Sequence, residues 1–326
     1  MALQIFTNLT RIMFSILIYS YLIILVAEGA TVPSTTKKPT SVSPGRPGCG
    51  GTVTGSGEIR YKFGEQYEKN EQCVWTIVNQ KYPLVTLDLI DAGFAEEGDH
   101  LEIFYYKDGK LMNPVAGSGP HCDGPILSRR TQFCMVNSSL VFLVFRTNQA
   151  LQGTGFSVKI EPSGAMLPPS GEIFESYTYG PDGSWVDYDG PFVSNKIVSW
   201  TLAAPTEFVL YRYNVTSPCP PTTPLTPLVS IFQASQGSPI RMEYACGTIT
   251  EPIRVIQLPT KVEPFIIIYE NGKRTYAQGD VKFYWNLDGP PEAWKPGKGR
   301  GRGIMTSVST IWTGLFFIIV VTKFIG

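Results

Sequence analysis

Histidine is scarce in this chain: His100 and His121 are the only two among 326 residues. Neither lies in a pattern that supplies a nucleophile, a base and an orienting acid, so triad-type acyl transfer has no support in the sequence. There is no His-Glu-x-x-His, no paired Cys-x-x-Cys and no P-loop, which removes the usual ligands for zinc and phosphate chemistry. Charge of one sign is lacking too. Basic and acidic residues number 27 each, so no net field draws the chain to nucleic acid or an anionic membrane surface. These absences argue against an enzyme and against a nucleic-acid partner.

What is plentiful is turn chemistry. Gly (32) and Pro (26) are frequent enough to favour many short strands over long helices. The clearest stretch runs from Cys73 to Phe104. In it Val85, Leu87 and Leu89 alternate with Thr86, Asp88 and Ile90, which turns one face of a strand toward a core. An acidic turn, Glu96-Glu97-Gly98-Asp99, then leads into Leu101-Glu102-Ile103. Further strands are predicted over 74–77, 140–146 and 156–160, and Lys107-Asp108-Gly109 carries the Asp-Gly signal of a hairpin. Trp75 reads as core.

The ends place the middle outside the cytosol. Residues 1–29 resemble a secretory signal, with Arg11, an apolar run from Ile12 to Ala27 and a small-x-small site at Ala27-Glu28-Gly29. Residues 30–48, rich in Ser, Thr and Pro, cannot bury enough surface to offset chain entropy and read as a disordered arm. At the other end a Gly- and Pro-rich stalk, 289–303, precedes the hydrophobic segment 304–326. Small residues, a polar spacer and an apolar tail match a GPI-anchor signal, with Gly299, Gly301 and Gly303 as attachment candidates. The competing reading is a transmembrane helix, although the apolar run falls short of ~20 residues. Six cysteines, an even number, suit disulfides in an oxidising compartment. Asn137-Ser-Ser and Asn214-Val-Thr are glycosylation acceptors.

The Cys-x-Trp-x-Ile run at Cys73, the alternating strand and the Asp-x-Leu-Glu-Ile run at Asp99 together resemble a CUB domain. The resemblance implies an all-β fold, a jelly-roll β-sandwich, over residues 49–163. A divergent second copy spans 171–288: Trp200-Thr-Leu echoes Trp75-Thr-Ile, Val229-Ser-Ile-Phe232 echoes Leu101-Glu-Ile-Phe104, and Phe265-Ile-Ile-Ile echoes Phe142-Leu-Val-Phe. The offsets lie between 123 and 128 residues, as for one unit used twice. In the family's pattern Cys49 pairs with Cys73, and Cys219 with Cys246. Cys122 stands at the family's Cys-Gly position with its usual partner missing, so it is assigned to Cys134, a departure from the pattern.

The resemblance also implies a calcium ion in the first copy, held by Asp91, Asp99 and Asn148, of which Asp99 matches the family residue; the second copy offers no acidic match. The competing reading is a plain turn in which Asp99 caps the backbone and His100 is exposed. Tyr105-Tyr106, Tyr177, Tyr179, Trp185 and Tyr188 lie in or beside turns and are candidate interface aromatics. The resulting expectation is a non-enzymatic cell-surface or secreted protein that binds an extracellular protein or glycan and is held to the membrane by its C-terminal anchor. Alternatives are an accessory regulator of extracellular proteolysis acting in trans, and a hydrolase with an unrecognised site.

Overall fold

A computed structural model describes residues 49–82, 84–95, 98–114, 122, 126–127, 132–150, 152–164, 173–180, 182–190, 192–193, 195–215, 228–258, 262–271, 276–277 and 279–294. The signal, arm and tail assignments lie outside these, as do Gly299, Gly301, Gly303, Cys219 and His121. Strands account for the fold: among the described residues the only helix is one 3-10 turn at Glu292–Trp294, and none is long and apolar enough to cross a membrane.

Ten strands build the first sandwich: β1 (Gly51–Thr54), β2 (Gly57–Gln66), β3 (Gln72–Val78), β4 (Leu84–Gly93), β5 (His100–Lys107), β6 (Lys110–Met112), β7 (Ile126–Leu127), β8 (Gln132–Val136), β9 (Leu140–Arg146) and β10 (Thr154–Ser163). One sheet has the order β1-β3-β9-β5-β6, with β7 also on β5; the other is β2-β10-β4-β8. The turn between β5 and β6 places Asp108 and Gly109 at φ 51 and 75, the left-handed pair that suits a tight hairpin.

The second sandwich uses β11 (Ile173–Tyr179), β12 (Ser184–Tyr188), β13 (Phe192–Val193), β14 (Lys196–Leu202), β15 (Glu207–Val215), β16 (Leu228–Gln233), β17 (Ile240–Cys246), β18 (Ile253–Ile256), β19 (Phe265–Glu270), β20 (Tyr276–Ala277) and β21 (Gly279–Trp285). Its sheets run β11-β14-β19-β16-β17 and β12-β21-β15-β18, with β13 and β20 paired separately. The two main sheets repeat in strand order, while β7 and the β13–β20 pair have no counterpart. In each copy a parallel edge strand opens the first sheet, β1 on β3 and β11 on β14, and every other pairing is antiparallel.

Register corrects one of the sequence echoes. Trp75 faces Leu143, and Trp200 faces Ile267. Leu143 therefore corresponds to Ile267, an offset of 124, whereas the Phe142–Phe265 match uses 123. A slip of one residue exchanges the two faces of a strand. Phe142 indeed lies on the outer face of its sheet, while Phe265 points into the second core.

Each sandwich has its own aromatic-rich core. Tyr61, Trp75, Phe145 and Phe156 meet edge-on or tilted in the first, and Tyr188, Trp200, Phe208 and Phe283 in the second. Val85, Leu87 and Leu89 are fully buried, and Ile90 is exposed, in keeping with the alternation. Alternation does not describe β9 or β19. Every residue of β9 is buried, because the outer face of its sheet is covered as well. Val74, Phe104, Phe142 and Val144 from the first copy form one apolar cluster with Ile197, Phe232, Ile266 and Ile268 from the second. The two sandwiches are thus joined face to face through a third core. Strands buried on both sides read as continuous apolar runs, which is how 140–146 and 265–269 read.

The bridges Cys49–Cys73 and Cys122–Cys134 are both formed. Cys246 is disulfide-bonded; Cys219 is outside the described residues. The stalk assignment needs adjustment at its start. Trp294 packs against Trp185 and Tyr211 and donates its indole N–H to Asp187, so residues 289–294 finish the second sandwich.

Candidate binding cleft between the two sandwiches

The apolar seam ends in a polar row. Gln72 of β3, Arg146 of β9 and His100 of β5 stand opposite one another across three neighbouring strands. Their parity puts them on the same outer face as Val74 and Val144, one step beyond the last apolar contacts. Buried polar groups need partners, and the second copy provides most of them. Arg146 Nη1 pairs with Glu263, its Nη2 donates to the Ala234 carbonyl, and its Nε lies 3.3 Å from Glu102. Glu102 accepts the Gly237 amide at 2.7 Å, delivered by a turn in which Gly237 has φ 79. Gln72 Nε2 donates to the Val262 carbonyl at 2.8 Å. Gln257, itself buried, grips Glu263 through both its backbone N–H and its carbonyl, which fixes the carboxylate that meets Arg146.

Above this row the sandwiches diverge into a cleft of about 870 Å³. The first copy's wall is the β2–β3 connection, Glu68 to Glu71, bound to the β9–β10 connection by Asn70 N–H to the Asn148 carbonyl and Glu71 N–H to Thr147 Oγ1. The facing wall carries Ala204, Gln236, Val262 and Glu263. The lining is rich in carboxamides: Asn70, Gln72, Asn148, Gln149 and Gln236. Each offers both donors and an acceptor.

Two atoms at the floor have no partner among the described residues, His100 Nε2 and Gln72 Oε1. His100 Nδ1 lies 3.1 Å from the Gly98 carbonyl. A carbonyl only accepts, so Nδ1 carries the proton and Nε2 of the neutral ring is an acceptor. Burial first, and Arg146 second, hold the His100 imidazolium pKa below its ordinary 6.5. Burial lifts the Glu102 carboxyl above its ordinary 4.5 in spite of Arg146. The floor thus presents two bare acceptors flanking a neutralised guanidinium.

The structure redistributes the sequence candidates. His100 is a buried residue of β5 and not an exposed turn residue. Asp99 is also buried. It accepts the Tyr67 hydroxyl at 2.5 Å and the Asn148 N–H at 2.8 Å, and burial followed by that Asp99 bond pushes Tyr67 up to about 12. Asn148 Oδ1 turns to the Ala150 N–H. Asp91 sits on β4 opposite Ser157 of β10. Calcium requires six to eight oxygens. Hydrogen bonds thus bring Asp99 and Asn148 together, with Asp99 also bound to Tyr67. A further cluster, Cys49, Glu71 and Cys73, is compact, but its sulfurs are bonded to each other and supply no thiolate.

The aromatic candidates are not surface anchors. Tyr106 is buried in the seam, where it donates to Glu270 at 2.6 Å and meets Phe232. Tyr179 and Tyr188 belong to the second core, Tyr105 and Tyr177 pack against the two cores, and Trp185 meets Trp294. Asn137 is exposed beside β9. Asn214 is half-buried in β15, its side-chain oxygen accepting the Thr248 hydroxyl at 2.8 Å. Sequence reasoning did not find the cleft. Its signal was faint: polar residues at the ends of strands that were otherwise apolar on both faces.

No family model matches the chain. Among solved structures, the CUB1-EGF-CUB2 domains of rat MASP-1 are 12% identical, with 73% of this chain and 100% of that one covered at a TM-score of 0.27. The corresponding human MASP-1/3 structure is 11% identical, with 71% and 98% covered at 0.26. The full extracellular region of zebrafish Gpr126/Adgrg6 is 12% identical, with 75% and 34% covered at 0.27. Likeness at this level carries no argument, so the architecture rests on the strand order itself.

Proposed function

We propose that this is a non-enzymatic extracellular interaction protein whose tandem CUB-like sandwiches form one rigid body and whose binding site is the cleft between them. The observation that carries the reading is the cleft floor, where His100 Nε2 and Gln72 Oε1 are left without partners inside a wall otherwise knitted by hydrogen bonds. A cleft of this volume lies in the range of ligand sites. The disulfides support an oxidising compartment, and the terminal segments support export and retention at the outer leaflet through a GPI anchor.

Binding of the exported chain to panels of extracellular proteins and glycans tests this reading. Binding that weakens when Gln72 or His100 is changed supports it. Binding that ignores both changes, or none at all, refutes the cleft. Phospholipase release from intact cells tests the anchor; retention after treatment would favour a transmembrane helix.

A further inference from the structure

The cleft's chemistry narrows its ligand. Both orphan groups at the floor are acceptors, so the ligand must bring donors. Ammonium and guanidinium groups are donors too, and Glu68, Glu71 and Glu263 in the lining would attract them, but Arg146 separates Gln72 from His100 in the row. Neighbouring strands stand about 4.8 Å apart, so the two acceptors, on the strands either side of β9, lie about two such spacings apart, farther than the N–H groups of one ammonium or guanidinium span. An anion brings no donors at all. Hydroxyls at opposite ends of one small ring can reach both acceptors.

The walls agree. Asn70, Asn148, Gln149 and Gln236 offer paired donors and acceptors, which match hydroxyls that both donate and accept. Lys69, Gln149 and Gln236 are exposed at the rim, within the same lining.

From these features we infer that the cleft binds a neutral polyhydroxyl ligand, a sugar unit of a glycan, with two of its hydroxyls donating to His100 Nε2 and Gln72 Oε1. This deepens the reading of the cleft as the binding site and rests on it. Binding of a single sugar unit is weak, because the described lining holds no aromatic ring on which a sugar face can stack.

The test is a titration of the whole exported chain with neutral hexoses and N-acetylhexosamines, and in parallel with ethylammonium chloride. It is followed by the imidazole nitrogen resonances of His100. The expected result is a saturable shift of His100 Nε2 with at least one sugar and a smaller one with ethylammonium. Gln72→Met and His100→Phe should each weaken that sugar by about tenfold, the usual effect of removing one hydrogen bond to a buried group. Thermal unfolding of each variant reports whether it is folded. If either fails to fold, Gln236→Ala, at the exposed rim, stands in and should weaken the same sugar. No sugar shift, meaning bridging water only, overturns the inference, as does a stronger response to ethylammonium. If a protein ligand instead depends on Gln72 and His100, the cleft stands as a site and the sugar class falls.

Discussion

The two sandwiches share their strand order yet fill equivalent places with different chemistry. Thr147 N–H reaches the Glu71 carbonyl in the first copy, and Asn271 N–H reaches the Lys196 carbonyl in the second. At the same place, then, one copy buries an acid and the other a base. Glu71 takes the hydroxyl of Tyr61; Lys196 pairs with Glu175 at 2.7 Å under the ring of Tyr188. Two positions on, Cys73 of the disulfide corresponds to Val198, and both are fully buried. The lesson is that this fold is specified by where apolar side chains point and by satisfied backbone pairing. The identity of a buried polar group is free to change provided its partner changes with it.

What the copies do share is the seam, and removing it is the largest perturbation available. Phe142→Ala empties a fully buried site between the two outer sheets. It should cost about 3–5 kcal/mol, with both copies losing structure at the same lowered denaturant midpoint. Loss confined to the first copy would show the seam to be incidental.

The disulfide difference is the next largest. Replacing Cys49 and Cys73 together by Val gives the first copy the residue that the second uses at Val198. Packing at Cys73 is then retained while the cross-link is lost, at a cost of about 3 kcal/mol for a loop of this size. An unchanged stability by urea unfolding would mean that the first copy needs the bridge no more than the second.

A smaller effect is expected from acid. Burial and Arg146 keep the native His100 pKa below 6.5, so the unfolded chain binds the proton more readily. Neutral His100 therefore contributes fully above about pH 6.5, and that contribution is lost as pH falls toward the lowered native value. Glu102 has the opposite sign: its raised pKa makes stability rise as pH falls toward 4.5. His100→Gln should accordingly gain stability relative to the parent on acidification from neutrality. A difference independent of pH would remove His100 from this account. The smallest expected effect is that of calcium. Asp91 and Asp99 supply only two carboxylates for such an ion, so calcium should raise the melting temperature by a small amount. A melting temperature independent of calcium concentration would remove the ion from Asp91, Asp99 and Asn148.

Much of the fold was legible in the sequence because it depends on short-range patterns. Alternation marked β4, the Asp108-Gly109 pair marked the hairpin, and the Trp75 and Trp200 runs marked the repeat. The seam was less legible. An apolar run such as 140–146 says that both faces are covered but not by what, and the answer lies far along the chain in Phe232 and Ile266. The off-by-one match of Phe142 to Phe265 has the same origin, since a run without alternation carries no face information. The cleft was least legible of all. Arg146, His100 and Glu263 are unremarkable one at a time, and only strand register and the docking of the second copy bring them together.

Calorimetric unfolding of the exported chain tests most directly whether the two copies behave as one body. A shared third core predicts a single transition whose calorimetric and van't Hoff enthalpies agree. Two separated transitions, one for each sandwich, would contradict it.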